Sequence, residues 1–288
     1  MSTPIETIID QMPMAGDETL ADSGFYWREK NGVKVLTCRP LEDAGFANGF
    51  STRIGGVSAF PSGDLNLAGF DEDTSENIYE NRRRFLRVFD GGYSLATVWQ
   101  VHGDAIKLAR TGEDALDTDE KFDGIASSLG GVLIGVKTAD CVPVLIGDPR
   151  TRAYAALHAG WRGTVQKIVA KGIALLHTEF DADPADMIAA IGPAACGRNY
   201  EIGQDVMDAF AANFASSEKY FTPTRDGHAL VDLHAANRDQ AIAGGIEQAN
   251  IFTAPLCTME RTDLFFSYRK EKKTLGKTGR LLSVIGLR

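Results

Sequence analysis

Residues Thr138–Gly163 read TADCVPVLIGDPRTRAYAALHAGWRG, and this stretch decides how the chain is organised. Cys141 lies at the end of one apolar run and His158 at the end of the next. Upstream, WQVHG (Trp99–Gly103) carries a third soft ligand, His102, to the end of another. The runs TVWQV, VLIGV and AYAAL are rich in the small, branched or aromatic residues that suit buried strands, and each breaks into a glycine-containing turn just past the polar residue. Three reactive side chains are therefore expected at strand ends, where a rigid sheet can hold them at a cleft.

The 288 residues, 44% of them hydrophobic, are enough for one large domain with a sizeable core. Thirty basic against 39 acidic residues give a net charge of −9, which argues against a nucleic-acid or acidic-membrane footprint. The segment MSTPIETIIDQMPMAG has no cationic stretch followed by an apolar core, and no run approaches bilayer length, so a cytoplasmic protein is expected. Four cysteines, Cys38, Cys141, Cys196 and Cys257, are too widely spread to read as a disulfide framework. Only five histidines are present, which gives weight to two of them ending strands near a cysteine.

Residues 1–24 are polar and read as an irregular arm, leaving 25–288 as a single catalytic domain. FYWREKNGVKVLTCRP predicts a hairpin turning at Asn31-Gly32. The Gly-, Ser- and Pro-rich segment Phe50–Phe70, which carries Arg53, reads either as an ordinary surface loop or as a substrate lid. Residues 74–90 predict a helix with Thr74 or Ser75 as its N-cap, and the run Arg82–Arg84 falls on its solvated face. SLATVWQVHG reads as a strand leading to His102, and residues 111–121 as a loop. Helices are expected over about 164–180, 204–214 and 233–248. IFTA, FFSYR and LLSVIGL read as strands, with Tyr268, Arg269 and Arg280 within reach of a site. Cys196 reads as a loop cysteine without catalytic duty, and Cys257 as buried support or a neighbour of the site. Helices alternating with strands, several of them in hairpins, predict an α+β fold with mixed sheets.

Two histidines and a cysteine suit Zn²⁺ with a fourth position left open. The spacings, 39 residues (141 − 102) and 17 residues (158 − 141), are not those of a zinc finger, so the ligands would meet only through the fold. Without a metal, Cys141 and His158 would make a nucleophile and base pair. A third reading leaves the three at unrelated strand ends.

STRIGGVS (Ser51–Ser58), QVHG (Gln100–Gly103), TADCVPV (Thr138–Val144), HAGWRG (His158–Gly163), IGP (Ile191–Pro193), FFSYR (Phe265–Arg269) and TGR (Thr278–Arg280) occur in the order seen in one family. In these segments the chain resembles the laccase-domain family, also called multi-copper polyphenol oxidase-like, whose members include bacterial purine nucleoside phosphorylases. The resemblance covers about Phe50 to the C-terminus. It implies an α/β sandwich with helices outside the sheets, and it makes His102, Cys141 and His158 the counterparts of the family's zinc ligands. One departure follows IGP, where AACGRNYEIG holds Cys196 earlier than the cysteine expected just before the Tyr-Glu pair.

The activities implied by the resemblance are phosphorolysis of adenosine, inosine and methylthioadenosine and hydrolytic deamination of adenosine, with a purine nucleoside and phosphate as partners. Arg53 is then the first candidate to hold phosphate, followed by Arg162 and Arg269. Asp140 is a candidate to orient His102 or His158. The family likeness also extends to proteins implicated in editing peptidoglycan precursors, where a Cys-His pair would hydrolyse an amide; a purine binder without turnover is a further reading. Multicopper oxidation needs about ten histidines, twice the number here, although a single Cu²⁺ fits a His₂Cys set.

Overall fold

The computed structural model describes residues 17–59, 63–68, 72–115 and 120–288. Most of the expected arm, residues 1–16, lies outside them. Within residues 17–24 the expected irregularity is replaced by helix α1 (Asp17–Asp22), whose Leu20 is buried against the first sheet's core, as is Leu41 of the short helix α2 (Arg39–Asp43).

Two six-stranded mixed sheets face each other. The first runs, edge to edge, β1 (Phe25–Lys30), β2 (Val33–Cys38), β3 (Phe46–Ser51), β16 (Leu281–Leu287), β8 (Val132–Thr138) and β5 (Ser94–Thr97). The second runs β15 (Ile251–Thr253), β11 (Ile188–Ile191), β9 (Val142–Gly147), β10 (Tyr154–Ala159), β7 (Gly124–Ser127) and β6 (Ile106–Ala109). A small third sheet joins β12 (Glu201–Gly203), β14 (His228–Val231) and β13 (Phe221–Pro223). Asn31 and Gly32 both take positive φ, as a tight two-residue turn requires, and β1 pairs with β2 as expected.

Alternation along the strands builds the layers. Leu145 of β9 and Tyr154 and Ala156 of β10 point into the space between the sheets, where they meet Phe46, Phe50, Ile134 and Ile285 of the first sheet. Val144 and Ile146 point the opposite way, onto α5 (Ile168–Phe180), α6 (Gln204–Asn213) and α7 (Leu233–Ala243). Val284 and Leu282 face outward onto Phe85 of α3 (Ser75–Leu86), which Thr74 caps by accepting from the Asn77 N–H. Helices thus cover both outer faces, and the expected sandwich is found. No helix among the described residues is long and apolar enough to cross a membrane.

Several expected elements differ. The segment after Phe50 is not all loop, since β4 (Ile54–Ser58) forms within it. The helix expected over 164–180 is two helices, α4 (Trp161–Val165) and α5, because Lys167 between them is left-handed. FFSYR is not a strand: Phe265 and Phe266 are buried between the sheets, and Ser267 caps α8 (Tyr268–Leu275) by accepting from the Lys270 N–H. The strand leading to His102 stops at Thr97.

Candidate metal centre

His102, Cys141 and His158 converge. One ligand atom from each lies within 4.8 Å of the other two, and the imidazole rings are 5.0 Å apart at 74°. Only His158 sits inside a strand, on β10. Cys141 occupies the turn between β8 and β9, and His102 a turn five residues beyond β5, with φ +61°. His158 is buried, Cys141 half-buried and His102 exposed, so the cluster opens toward solvent on the His102 side.

Gln100 explains how an irregular segment holds its place. Its side-chain amide donates to the Lys137 carbonyl and accepts from the Lys137 N–H, both at 2.7 Å, copying a strand pairing against β8. Gly160 leaves room for the ligands, since a Cβ there would lie 3.0 Å from Cys141 Sγ and 3.3 Å from His102 Cδ2, and these side chains would have to give by a few tenths of an ångström.

Asp123, which is fully buried, ties the pieces together. Its carboxylate accepts from the backbone N–H groups of Val101 (3.2 Å), His102 (2.9 Å) and Gly103 (2.6 Å), and pairs at 2.8 Å with Nδ1 of His158. One acid therefore fixes both the His102 turn and the His158 ring. Burial opposes its ionisation, but the His158 and backbone hydrogen bonds outweigh that and hold its pKa below the ordinary range. With Nδ1 as donor, His158 turns Nε2 toward Cys141.

Burial also opposes ionisation of the Cys141 thiol. The charge of His158 and hydrogen bonds from both imidazoles prevail and lower its pKa to about 6. For His158, burial disfavours the cation, while the Cys141 charge and the Asp123 hydrogen bond raise its pKa to about 9. The metal-free cluster is thus a thiolate-imidazolium pair near neutrality. Two imidazoles, a readily ionised thiol and an open side fit a divalent cation of borderline softness.

Asp140 does not meet the expectation that it orients a histidine. Its backbone is left-handed (φ +84°), and its carboxylate accepts from Thr258 Oγ1 (2.6 Å), Ser267 Oγ (3.0 Å) and the Arg269 N–H (2.7 Å). Asp140 anchors the start of α8 behind Cys141, and Asp123 has the orienting role. Arg53 is likewise committed elsewhere. Only 6% exposed, it is clamped between Asp64 (2.7 Å) and Glu271 (2.6 Å) and donates to the Thr262 carbonyl, so it is not a free cation for phosphate.

Arg269 and Arg162 are exposed, and neither guanidinium forms a salt bridge among the described residues. Arg269 lies 4.8 Å from the centre of the Tyr200 ring, and Arg162 lies 4.3 Å from that of Trp161. Burial raises the Tyr200 pKa, with a smaller push from the charge of Cys141, and the Arg269 backbone N–H is tied to Asp140, the neighbour of Cys141 in the chain. Arg280 stacks on Tyr268 at 5.9 Å. The other three imidazoles are engaged with backbone carbonyls, His177 with Ala182, His228 with Asp226 and His234 with Gly192.

The sequence model of the family described as multi-copper polyphenol oxidoreductase laccase matches residues 47–288. The chain belongs to this laccase family. Among family members similar to it, the purine nucleoside phosphorylase YfiH of Escherichia coli (strain K12) is 36% identical over 257 residues, covering 88% of this chain and 99% of that one. A purine nucleoside phosphorylase of Deinococcus radiodurans is 35% identical over 240 residues, covering 83% and 88%. The crystal structure of YlmD from Geobacillus stearothermophilus superposes with a TM-score of 0.83 at 31% identity, over 92% of this chain and 99% of that one. The laccase-family fold therefore extends across nearly the whole molecule.

Proposed function

We propose that this laccase-family chain is a purine nucleoside phosphorylase acting on adenosine, inosine and methylthioadenosine, with a second, hydrolytic activity that converts adenosine to inosine. His102, Cys141 and His158 hold Zn²⁺, and Asp123 orients His158. The convergence of those three donors on one open pocket carries the reading, and it is supported by relatives named purine nucleoside phosphorylase over nearly their full length. Bound there, Zn²⁺ supplies Lewis-acid polarisation next to the substrate.

The chain's own groups position and neutralise. In phosphorolysis, a phosphate oxygen attacks C1′ of the ribose while the C–N bond to the base breaks through an oxocarbenium-like state, so the anion must be held beside a developing cation. Arg269, lying over Tyr200 and held through its backbone N–H by Asp140, the residue before Cys141, is the first residue to hold orthophosphate, and Arg162 the second. Asp123 keeps His158 in one tautomer through both reactions. Only two of the five imidazoles converge, which does not supply a three-copper cluster; a single Cu²⁺ fits the same donors, and its oxidation chemistry would report the metal rather than the substrate.

One observation favours a second reading. Asp123, His158 and Cys141 also form an acid-base-thiolate relay, the arrangement of a metal-independent amide hydrolase of the kind that edits peptidoglycan precursors. Incubation with adenosine, with and without orthophosphate, separates the outcomes. Adenine and ribose 1-phosphate with phosphate, and inosine without it, are expected; binding of adenosine with neither product overturns the phosphorylase and deaminase reading.

A further inference from the structure

We propose that Cys196, Cys257 and Glu260 form a second cation site, for Zn²⁺ or a divalent cation of similar softness, separate from the His102-Cys141-His158 centre. Their donor atoms lie within 4.8 Å of one another. They come from two facing turns of equal spacing, Cys196-Gly-Arg-Asn199 and Cys257-Thr-Met-Glu260. The Asn199 N–H donates to the Cys196 carbonyl (2.9 Å) and the Arg261 N–H to the Cys257 carbonyl (3.0 Å). The turns are held together by the pairing of Ala194 with Cys257, including a 3.0 Å bond from the Thr258 N–H to the Ala194 carbonyl. Two short turns, each offering a cysteine and a second donor three residues on, repeat the ligand spacing of structural zinc sites.

The interior of the cluster has the shape a cation needs. The Asn199 amide nitrogen lies 2.7 Å from Glu260 Oε1, 3.3 Å from Cys196 Sγ and 3.7 Å from Cys257 Sγ, so three acceptors converge on one donor. Cys196 Sγ is 3.6 Å from Glu260 Oε1, close to the roughly 3.5 Å edge of a tetrahedron built on ordinary Zn–S and Zn–O distances. Flipped, the Asn199 amide would present its carbonyl oxygen as a fourth ligand. Arg198 pairs with Glu260 at 2.9 Å. Two thiolates and a carboxylate are then neutralised by a divalent cation together with that guanidinium. Backbone N–H groups of Cys196, Met259 and Glu260 point at Cys257 Sγ, as outer hydrogen bonds do around a ligating sulfur. A cavity of about 450 Å³, bordered by Cys196, Arg198, Lys219, His234 and Cys257, gives access. A simple disulfide pair would make no use of the converging carboxylate and amide. Thr258, inside the second turn, holds Asp140 behind Cys141, so a cation here would brace the first centre.

Zinc alone, added to the reduced full-length protein and counted after removal of loosely bound metal, tests the site. The wild-type chain should retain two equivalents. His102→Ala/Cys141→Ser should retain one, Cys196→Ser/Cys257→Ser should retain one, and Glu260→Gln should bind the second equivalent about tenfold more weakly. A folded His102→Ala/Cys141→Ser protein that retains no zinc overturns the proposal. So does a Cys196→Ser/Cys257→Ser protein that still retains two equivalents. If the first centre is the one that fails, the wild type and His102→Ala/Cys141→Ser bind the same amount, which is a different result.

Discussion

Asp123 and His158 are joined at 2.8 Å through Nδ1, and the same carboxylate gathers the three N–H groups of the His102 turn. Removing its charge therefore disturbs two ligands at once. Asp123→Asn should weaken metal binding at the first centre by about 10- to 100-fold, measured by competition with a chromophoric chelator. Asp140→Asn serves as the contrast. Its amide would turn a donor toward donors, costing about 1–3 kcal/mol of stability in denaturant titration while changing metal affinity less than Asp123→Asn does.

The charges at the centre fix how many protons metal binding displaces. Between about pH 6 and about pH 9 the metal-free cluster carries ionised Cys141 and protonated His158. A divalent cation needs the thiolate and a neutral imidazole, so near pH 7.5 about one proton should leave these two residues. Below pH 6 Cys141 is also protonated, the number rises to about two, and affinity falls more steeply. Calorimetry in buffers of different ionisation enthalpy, in the Cys196→Ser/Cys257→Ser background, reads this number. Because a neutral thiol beside a neutral imidazole would also release one proton, ultraviolet titration of the metal-free protein completes the test, and a Cys141 thiol still un-ionised at pH 7.5 would contradict the assignment.

Gly160→Ala places a methyl group 3.0 Å from Cys141 Sγ. Far-ultraviolet dichroism should be unchanged, while metal affinity falls about tenfold or more as Cys141 and His102 are pushed apart.

Arg53→Ala and Arg269→Ala should fail in different ways. The first leaves Asp64 and Glu271 buried without their partner and should lower stability by about 3 kcal/mol or more. The second should leave stability nearly unchanged and raise the apparent KM for phosphate. A phosphate KM that moves with Arg53 in a folded protein, and not with Arg269, would reverse the assignment.

The sheets were legible because their apolar runs alternate cleanly onto two cores, as in VPVLIG and LLSVIGL. The ligands were legible as strand-end residues, although only His158 lies on a strand. Past Thr97 the apolar pattern continues while the backbone leaves the sheet, because the Gln100 side chain replaces the backbone pairing. FFSYR misleads in a related way: two aromatics suited to a strand are buried by a loop, and the serine after them starts a helix. Nothing local marks Lys167 as left-handed, since that break depends on how α4 and α5 pack. Asp123 is a single acid before a glycine, with no spacing to His102 or His158 that a sequence pattern would display. Its role exists only once its backbone carbonyl accepts from the His158 N–H at 2.7 Å and the His102 turn folds over its carboxylate. Arg53 looked available because its partners, Asp64 and Glu271, are 11 and 218 residues away.

Turnover against zinc occupancy of the first centre is the decisive measurement. Protein stripped by a chelator should form no adenine or ribose 1-phosphate from adenosine and orthophosphate, and activity should return in proportion to zinc restored at His102, Cys141 and His158, with His102→Ala inert throughout. Full phosphorolysis by the stripped protein, or by His102→Ala, would contradict the account.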